Sequence, residues 1–137
     1  MGLLSGAFAG AVAAMSMTGL RQVTTSLGIV ERTPPEAAVE TAAPEALTSL
    51  PPERQQAAIE LAHWAYGAAG GVAYALLPDR LRCSVLIGLA YGAGSWAVFE
   101  AVVAPRIGQK REGGRQQDLA LLADHLLYGG VLARLAR

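Results

Sequence analysis

Charged side chains are scarce in this sequence, and their signs balance. Only 16% of its residues are Asp, Glu, Lys or Arg, whereas 53% are hydrophobic. A soluble domain is typically about 25% charged. Eleven basic and eleven acidic side chains give a formal net charge of zero. Nucleic-acid binding requires a clustered excess of Lys and Arg, so we expect no nucleic-acid partner.

Cysteine and recognisable catalytic motifs are also lacking. Cys83 is the single cysteine, which excludes an internal disulfide and a cysteine-based zinc site. The sequence contains no arrangement typical of a serine or cysteine nucleophile, no phosphate-binding loop and no redox motif. It therefore gives no support for an enzymatic activity, and it leaves metal binding open.

Long apolar stretches dominate the rest of the chain. A helix needs about 20 residues to cross the hydrocarbon core of a bilayer. Four stretches approach this length, at Leu3–Leu20, Ala57–Leu77, Cys83–Ala104 and Leu119–Leu135. They predict an all-α membrane protein of four transmembrane helices in a single domain, residues 1–137. The alternative is a soluble helical bundle, but the first and third stretches have no polar face for such a fold to expose.

The segment between the first two predicted helices, residues 21–56, is rich in Pro, Glu and Ala. Thr33-Pro34-Pro35-Glu36 matches a capping box with prolines in the first helical turn. A short helix is therefore predicted to start at Pro34, and Pro44 is predicted to interrupt it. We expect this segment to form a helical lid over the mouth of the bundle or along the headgroups.

Two short motifs occur twice. His-x-x-Tyr-Gly is found at 63–67 and again at 125–129, and Gly-x-x-x-Gly is found at 6–10 and again at 88–92. The chain is therefore predicted to consist of two tandem helix pairs, about 1–78 and about 83–137. Each pair enters and leaves on the same side, so an axis along the membrane normal should relate the two halves.

Glycine at helical spacing lets the backbones of membrane helices approach closely. Such a face can build either the interior of the bundle or a dimer. The predicted partners are accordingly the lipid bilayer and either a second copy of the chain or a larger membrane complex. The residues assigned to helix packing are Gly6, Gly10, Gly67, Gly70, Gly88, Gly92 and Gly129.

The arrangement resembles the uncharacterised YagU-like inner-membrane proteins. The similarity lies in a Gly-rich first helix, in Pro34-Pro35 after it, and in a histidine near the start of later helices, as at His63 and His125. The resemblance implies an integral membrane protein of a bacterial inner membrane, and it supplies no activity. The sequence departs from that family because Met17-Thr18-Gly19 stands where a charged residue is expected inside the first helix.

Polar residues of three predicted helices fall in the same leaflet. A charge inside a membrane must be neutralised, paired or placed at a wet cavity. Glu100 is therefore expected to pair with His63 and His125, and mutations in this group should be non-additive. We predict a site for proton movement or a small ligand, as in a transporter, formed by His63, Glu100, His125, Tyr66, Tyr128, Asp124 and Glu60.

Three other readings of these residues remain open. They can be interfacial side chains of a structural accessory subunit that has no site of its own. His63 and His125 can instead be two axial ligands of a haem. Glu60-Leu61-Ala62-His63 is half of a di-metal bundle motif, although Leu122 stands in the matching position before His125.

Overall fold

The chain is all-helical, as predicted. A computed structural model describes residues 1–30, 33–108 and 114–136. Helix accounts for 85% of the structure, and the described residues contain no strand. The helices are α1 (Leu3–Ser26), α2 (Pro34–Ala42), α3 (Pro44–Thr48), α4 (Pro52–Ala75), α5 (Asp79–Arg82), α6 (Val85–Val98), a π-helical turn (Phe99–Val103), α7 (Ala104–Arg106) and α8 (Gly114–Leu135).

The predicted end of the first helix is wrong. Helix α1 continues past Leu20 to Ser26, because neither glycine nor proline follows until Gly28, which adopts a positive φ of 70°. The segment assigned to the lid therefore starts after Ser26 rather than at residue 21. The expectation that the first helix carries no charge is also wrong, since the longer helix includes Arg21.

Two helical segments, Leu3–Ser26 and Val85–Arg106, are long and apolar enough to cross a membrane. The second combines α6, the π-helical turn and α7. Proline lacks a backbone N–H, and its ring collides with the carbonyl four residues earlier. Pro105 therefore accounts for the widened turn just before it, and the helix ends at Arg106, two residues later than predicted.

The long helices pack as α1 against α4, α6 against α8, and α1 against α8. Glycines form the first two contacts. A Cβ built on Gly10 falls 2.8 Å from the Cα of Gly71, and one built on Gly129 falls 2.8 Å from the carbonyl carbon of Gly88. All the glycines assigned to packing lie at tight contacts of this kind inside the bundle. In this structure the glycine face is therefore covered within the chain.

Alanine and glycine make up much of the interior, where Tyr74 and Leu132 are among the few large side chains that are fully buried, and many large apolar side chains lie outside. Ala9, Ala13 and Ala14 are buried in the core. By contrast, Leu4 is 89% exposed and Leu86 is 77% exposed. Each of the four long helices carries large apolar residues on its outer face.

Helix α2 packs against α4 and buries Pro34, Pro35 and Ala37. It begins at Pro34 and is followed at Pro44 by α3, as the sequence predicts. The capping-box hydrogen bond is not formed, since the Thr33 side chain makes no cap hydrogen bond. The backbone carbonyl of Thr33 accepts the first helical hydrogen bond, from the N–H of Ala37.

The other end of the bundle is held by Arg82. Its Nη1 donates to the carbonyl oxygens of Met1, at 3.1 Å, and Ala75, at 2.6 Å. Tyr74 donates its hydroxyl to the Arg82 carbonyl at 2.8 Å. These bonds satisfy a carbonyl at the end of α4 and fix the start of α1 beside it.

Candidate functional site

The centre of the candidate site is Arg21 on α1, and only 4% of this residue is exposed. Gly6, Gly10, Ala14 and Met17 precede it at helical spacing and form the inward face of α1. Because the helix continues to Ser26, Arg21 extends this face by one more turn and points into the bundle. Arg21 is therefore buried because α1 is long enough to include it.

Polar side chains of α4 and α8 surround the Arg21 guanidinium. Its Nη2 lies 2.9 Å from Nε2 of His63, its Nε lies 3.7 Å from Oδ2 of Asp124, and its Nη1 lies 3.9 Å from Oε1 of Glu60. A guanidinium can only donate hydrogen bonds, so the His63 nitrogen that faces it must accept. His63 is therefore a neutral imidazole with its proton on Nδ1.

A second layer of hydrogen bonds fixes Glu60. Its Oε2 accepts from Thr18 Oγ1 at 2.7 Å, and its Oε1 accepts from Gln56 Nε2 at 3.2 Å. Trp64 Nε1 donates to the same Thr18 hydroxyl at 3.1 Å. Glu60 is thus well satisfied as a carboxylate.

Hydrogen bonding around Asp124 and Arg21 is incomplete. Asp124 is 3% exposed, and its Oδ1 has no hydrogen-bond partner in the part of the chain that the structure describes. The same is true there of Nε and Nη1 of Arg21. Buried polar atoms without hydrogen-bond partners are rare in folded proteins, so these atoms mark Arg21 and Asp124 as candidate binding residues.

A cavity of about 440 Å³ adjoins this polar cluster. Its walls are mainly apolar or aromatic, and its polar groups converge at the cluster. Pro34, Pro35, Ala38 and Val39 of α2 close one end, which makes α2 the lid of the cavity. The other lining residues include Arg21, His63, Tyr66, Ala69, Gly70, Tyr91, Ser95, Phe99, Asp124, His125 and Tyr128.

The cavity extends between α4 and α6, which are not extensively packed against each other in the described structure. Tyrosines cross this gap and the neighbouring interface. Tyr91 on α6 donates to the Gly70 carbonyl at 2.7 Å, and Tyr128 on α8 donates to the Gly67 carbonyl at 2.6 Å. Tyr66 and Ala69 of α4 line the cavity and are nevertheless exposed, so the cavity is open on this side of the bundle.

Most residues assigned to the site from the sequence lie together. Residues His63, Tyr66, Asp124, His125 and Tyr128 line the cavity. Glu60 joins them through Arg21. Glu100 lies half-buried in the π-helical turn and is not among the lining residues.

Sequence reasoning missed Arg21, which it assigned to the connecting segment. The glycine and alanine spacing along α1 was the available signal, because Arg21 falls on the same stripe as Gly10 and Met17. The structure gives His63 a charged hydrogen-bond partner in Arg21.

Each histidine already uses one ring nitrogen in a hydrogen bond, which limits how it can bind a haem or a metal ion. His63 directs Nε2 to a cation, so this nitrogen is already engaged. His125 uses Nδ1 to bond the Leu121 carbonyl at 2.8 Å. Within the described ranges, no group of three or more His, Cys, Asp and Glu residues is placed to hold a metal ion. Haem ligation by both histidines would require the Arg21–His63 bond to break.

The fold and site together define a helical bundle that combines a glycine-lined interior, a buried arginine cluster and a laterally open cavity under a short helix. Comparison with family models, curated proteins and solved structures gives no match to this chain.

Proposed function

We propose that this chain is an integral membrane protein of four transmembrane helices whose cavity binds a small lipophilic molecule carrying one polar group. Besides the two apolar spans, α4 has 24 residues and α8 has 22. At about 1.5 Å per residue these helices reach about 33–36 Å, more than the hydrocarbon thickness of about 30 Å. Their polar residues Glu60, Asp124 and His125 face Arg21 or the cavity, which is where membrane helices place such groups.

The distribution of side-chain size supports the same proposal. In water, large apolar side chains belong inside a protein, whereas membrane helices associate through small residues and turn large ones to lipid. This bundle has alanine and glycine inside and Leu4, Phe8 and Leu86 outside. Glycines form the contact between α1 and α4 and also the contact between α6 and α8. This similarity supports the proposed two tandem helix pairs.

Membrane integration is the first testable consequence. The untagged full-length chain should stay in the membrane pellet through an alkaline carbonate wash and enter the supernatant only with detergent. Its exposed leucines would otherwise contact water. A peripheral protein from the same cells, released by carbonate, is the control. Recovery of most of the chain in the carbonate supernatant would refute the four-helix membrane proposal.

Ligand binding is supported above all by the cavity. Small-molecule sites are typically concave, of about 300–1,000 Å³, apolar, and equipped with a few convergent polar groups. This cavity has that size and composition, and it is lined by Arg21 and Asp124, two buried residues with polar atoms that lack hydrogen-bond partners within the described residues. A purely structural subunit has no need of such atoms, because leaving them unsatisfied costs about 1–3 kcal/mol each.

The lateral opening between α4 and α6 indicates where the ligand enters. In the proposed membrane orientation this gap faces lipid, so a molecule dissolved in the bilayer can reach the cavity without crossing water. Helix α2 covers the end of the cavity, where it separates the ligand from the aqueous side. Association with further copies or with other subunits stays a prediction.

A pair of alanines on α4 tests the cavity. Ala69 lines it, whereas Ala65, one turn earlier and also exposed, does not. Ala69→Phe should fill the cavity and lower the affinity for the neutral probe neopentylbenzene by about tenfold or more, the loss expected from removing about 1.4 kcal/mol of contact. Ala65→Phe should leave the affinity unchanged. Calorimetric titration of the chain in lipid nanodiscs, with empty nanodiscs subtracted, measures both.

The accessory-subunit alternative predicts a different result. If neither variant nor the unchanged chain binds the probe above the empty-nanodisc baseline, the cavity is not a ligand site. The absorbance spectrum of the purified chain separately tests bis-histidine haem, which gives a strong Soret band.

A further inference from the structure

We infer that the ligand of this cavity is a lipophilic monocation, and that Asp124 binds it in exchange for a proton. This inference rests on the proposed ligand-binding function and adds the chemical class of the ligand. Three observations carry it: the charge count of the Arg21 cluster, the unpaired oxygen of Asp124, and the aromatic lining of the cavity.

The first observation is the balance of charge. Arg21 contributes one positive charge, and the ionised carboxylates of Glu60 and Asp124 contribute two negative charges within 4 Å of it. His63 is neutral because its Nε2 accepts from Arg21. His125 lines the same buried cavity as Arg21, where a second positive charge without a partner would be costly. Among the residues that the structure describes, the cluster is therefore one negative charge in excess.

This excess decides between a cationic and an anionic ligand. An unbalanced charge is costly in a low-dielectric interior. A bound anion would double the excess, whereas a bound monocation would cancel it. In the absence of ligand, a proton on one carboxylate performs the same neutralisation.

The second observation identifies the carboxylate that takes part. Glu60 is held by hydrogen bonds from Thr18 and Gln56, so it serves as the fixed counter-ion of Arg21. Asp124 faces Arg21 through Oδ2 and lines the cavity, while its Oδ1 is buried without a partner in the described structure. Asp124 is thus the carboxylate that lines the cavity, whereas Glu60 does not, and its hydrogen bonding is incomplete among the described residues.

The third observation is the composition of the walls. Aromatic rings attract cations through the negative potential of their faces. Tyr66, Tyr91, Phe99 and Tyr128 line the cavity together with Asp124. Aromatic walls and a single carboxylate suit a protonated or quaternary amine on a compact apolar body.

Exchange at Asp124 conserves charge. The cation enters, the Asp124 carboxyl releases its proton to the aqueous side, and the cluster stays neutral before and after. Lower pH should therefore weaken cation binding. The titratable or charged groups that face Asp124 across the cluster and cavity come from α1, α4, α6 and α8, and they are Arg21, Glu60, His63, Tyr66, Tyr91, His125 and Tyr128.

The test uses three probes of nearly equal size: benzyltrimethylammonium, its neutral isostere neopentylbenzene, and the anion benzylsulfonate. Calorimetry on the full chain in nanodiscs of neutral lipid should give an affinity for the ammonium probe at least about tenfold above that for the neutral one, the ratio that about 1.4 kcal/mol supplies. The anion should not bind. Lowering the pH should weaken the ammonium probe alone.

Variants separate the role of charge from that of folding. Asp124→Asn should reduce ammonium binding to the level of the neutral probe, and Asp124→Glu should restore part of it. Asp118→Asn, on the same helix but outside the cavity lining, is the matched control and should change neither.

The outcomes of this experiment distinguish the cation assignment from the proposed ligand site. Equal binding of the ammonium and neutral probes, or preference for benzylsulfonate, would overturn the cation assignment while the proposed ligand site stands. Failure of all three probes would count against the ligand site itself. If Asp124→Asn does not fold, the probe comparison in the unchanged chain and in Asp124→Glu still decides.

Discussion

Replacing Arg21 with methionine is expected to destabilise the folded protein by about 3–5 kcal/mol, the cost of breaking a buried ion pair by removing one partner. Methionine keeps an unbranched apolar chain but leaves Asp124 and Glu60 facing each other without a counter-ion. His63 loses its only hydrogen-bond donor at Nε2 among the described residues. Thermal or denaturant unfolding of the chain in one detergent at fixed pH measures the loss.

The controls for this change come from the same chain. Arg54 is exposed on α4, and Arg54→Met should alter stability by no more than about 0.5 kcal/mol. Adding Asp124→Asn to Arg21→Met should restore part of the loss, because it removes one of the unbalanced charges. The double variant should therefore cost less than the sum of the single changes by about 0.5–3 kcal/mol. Strict additivity would mean that Arg21 and Asp124 act independently.

Gly10→Leu is expected to have an effect of similar size by a different mechanism. Even a Cβ at this position would lie 2.8 Å from the Cα and 2.9 Å from the backbone nitrogen of Gly71. Backbone atoms cannot move aside as a flexible side chain can, so α1 and α4 must separate. We expect a loss at or above the upper end of the range of about 1–3 kcal/mol typical of overpacking, together with disruption of the Thr18–Glu60 hydrogen bond.

Glycines with free space provide matched controls on the same helices. Gly19 on α1 and Gly94 on α6 have no atom within 4 Å of a built Cβ. Gly19→Leu and Gly94→Leu should therefore keep or slightly raise stability, since leucine favours helix over glycine. Gly92→Leu on α6 should behave like Gly10→Leu, because its Cβ would lie 2.9 Å from the carbonyl carbon of His125. Equal melting temperatures for Gly10→Leu and Gly19→Leu would contradict the packing role.

Helix positions were the most predictable part of the fold. Apolar runs of nearly 20 residues and prolines at Pro34 and Pro44 are local signals, and the helices form where these signals lie. Helix ends were less predictable. Arg21 looked like the start of a loop because it is the first charged residue after an apolar run, but its charge is matched by residues far away in sequence.

Part of the candidate site was also predictable, because it contains a motif that is local in sequence. The repeated His-x-x-Tyr-Gly motif led to His63, Tyr66, His125 and Tyr128, which line one cavity. Glu100 was chosen because it is the only acidic residue in its helix, yet the π-helical turn before Pro105 changes which residues face inward there. Pro105 is the sequence signal for this turn, but it does not show which residues the turn brings to the inside.

The sequence by itself determined that this protein is helical, which of its glycines recur at helical spacing, and which short helix lies between the first two long ones, because propensity, periodicity and proline act over a few residues. Only the tertiary structure decided that Arg21 belongs inside the bundle, that Glu60 and Asp124 balance it, and that α4 and α6 leave a cavity between them. Those features depend on how four helices are rotated about their axes. That rotation is set by contacts between residues far apart in the chain, such as Thr18 with Glu60, 42 positions apart, and Arg21 with Asp124, 103 positions apart.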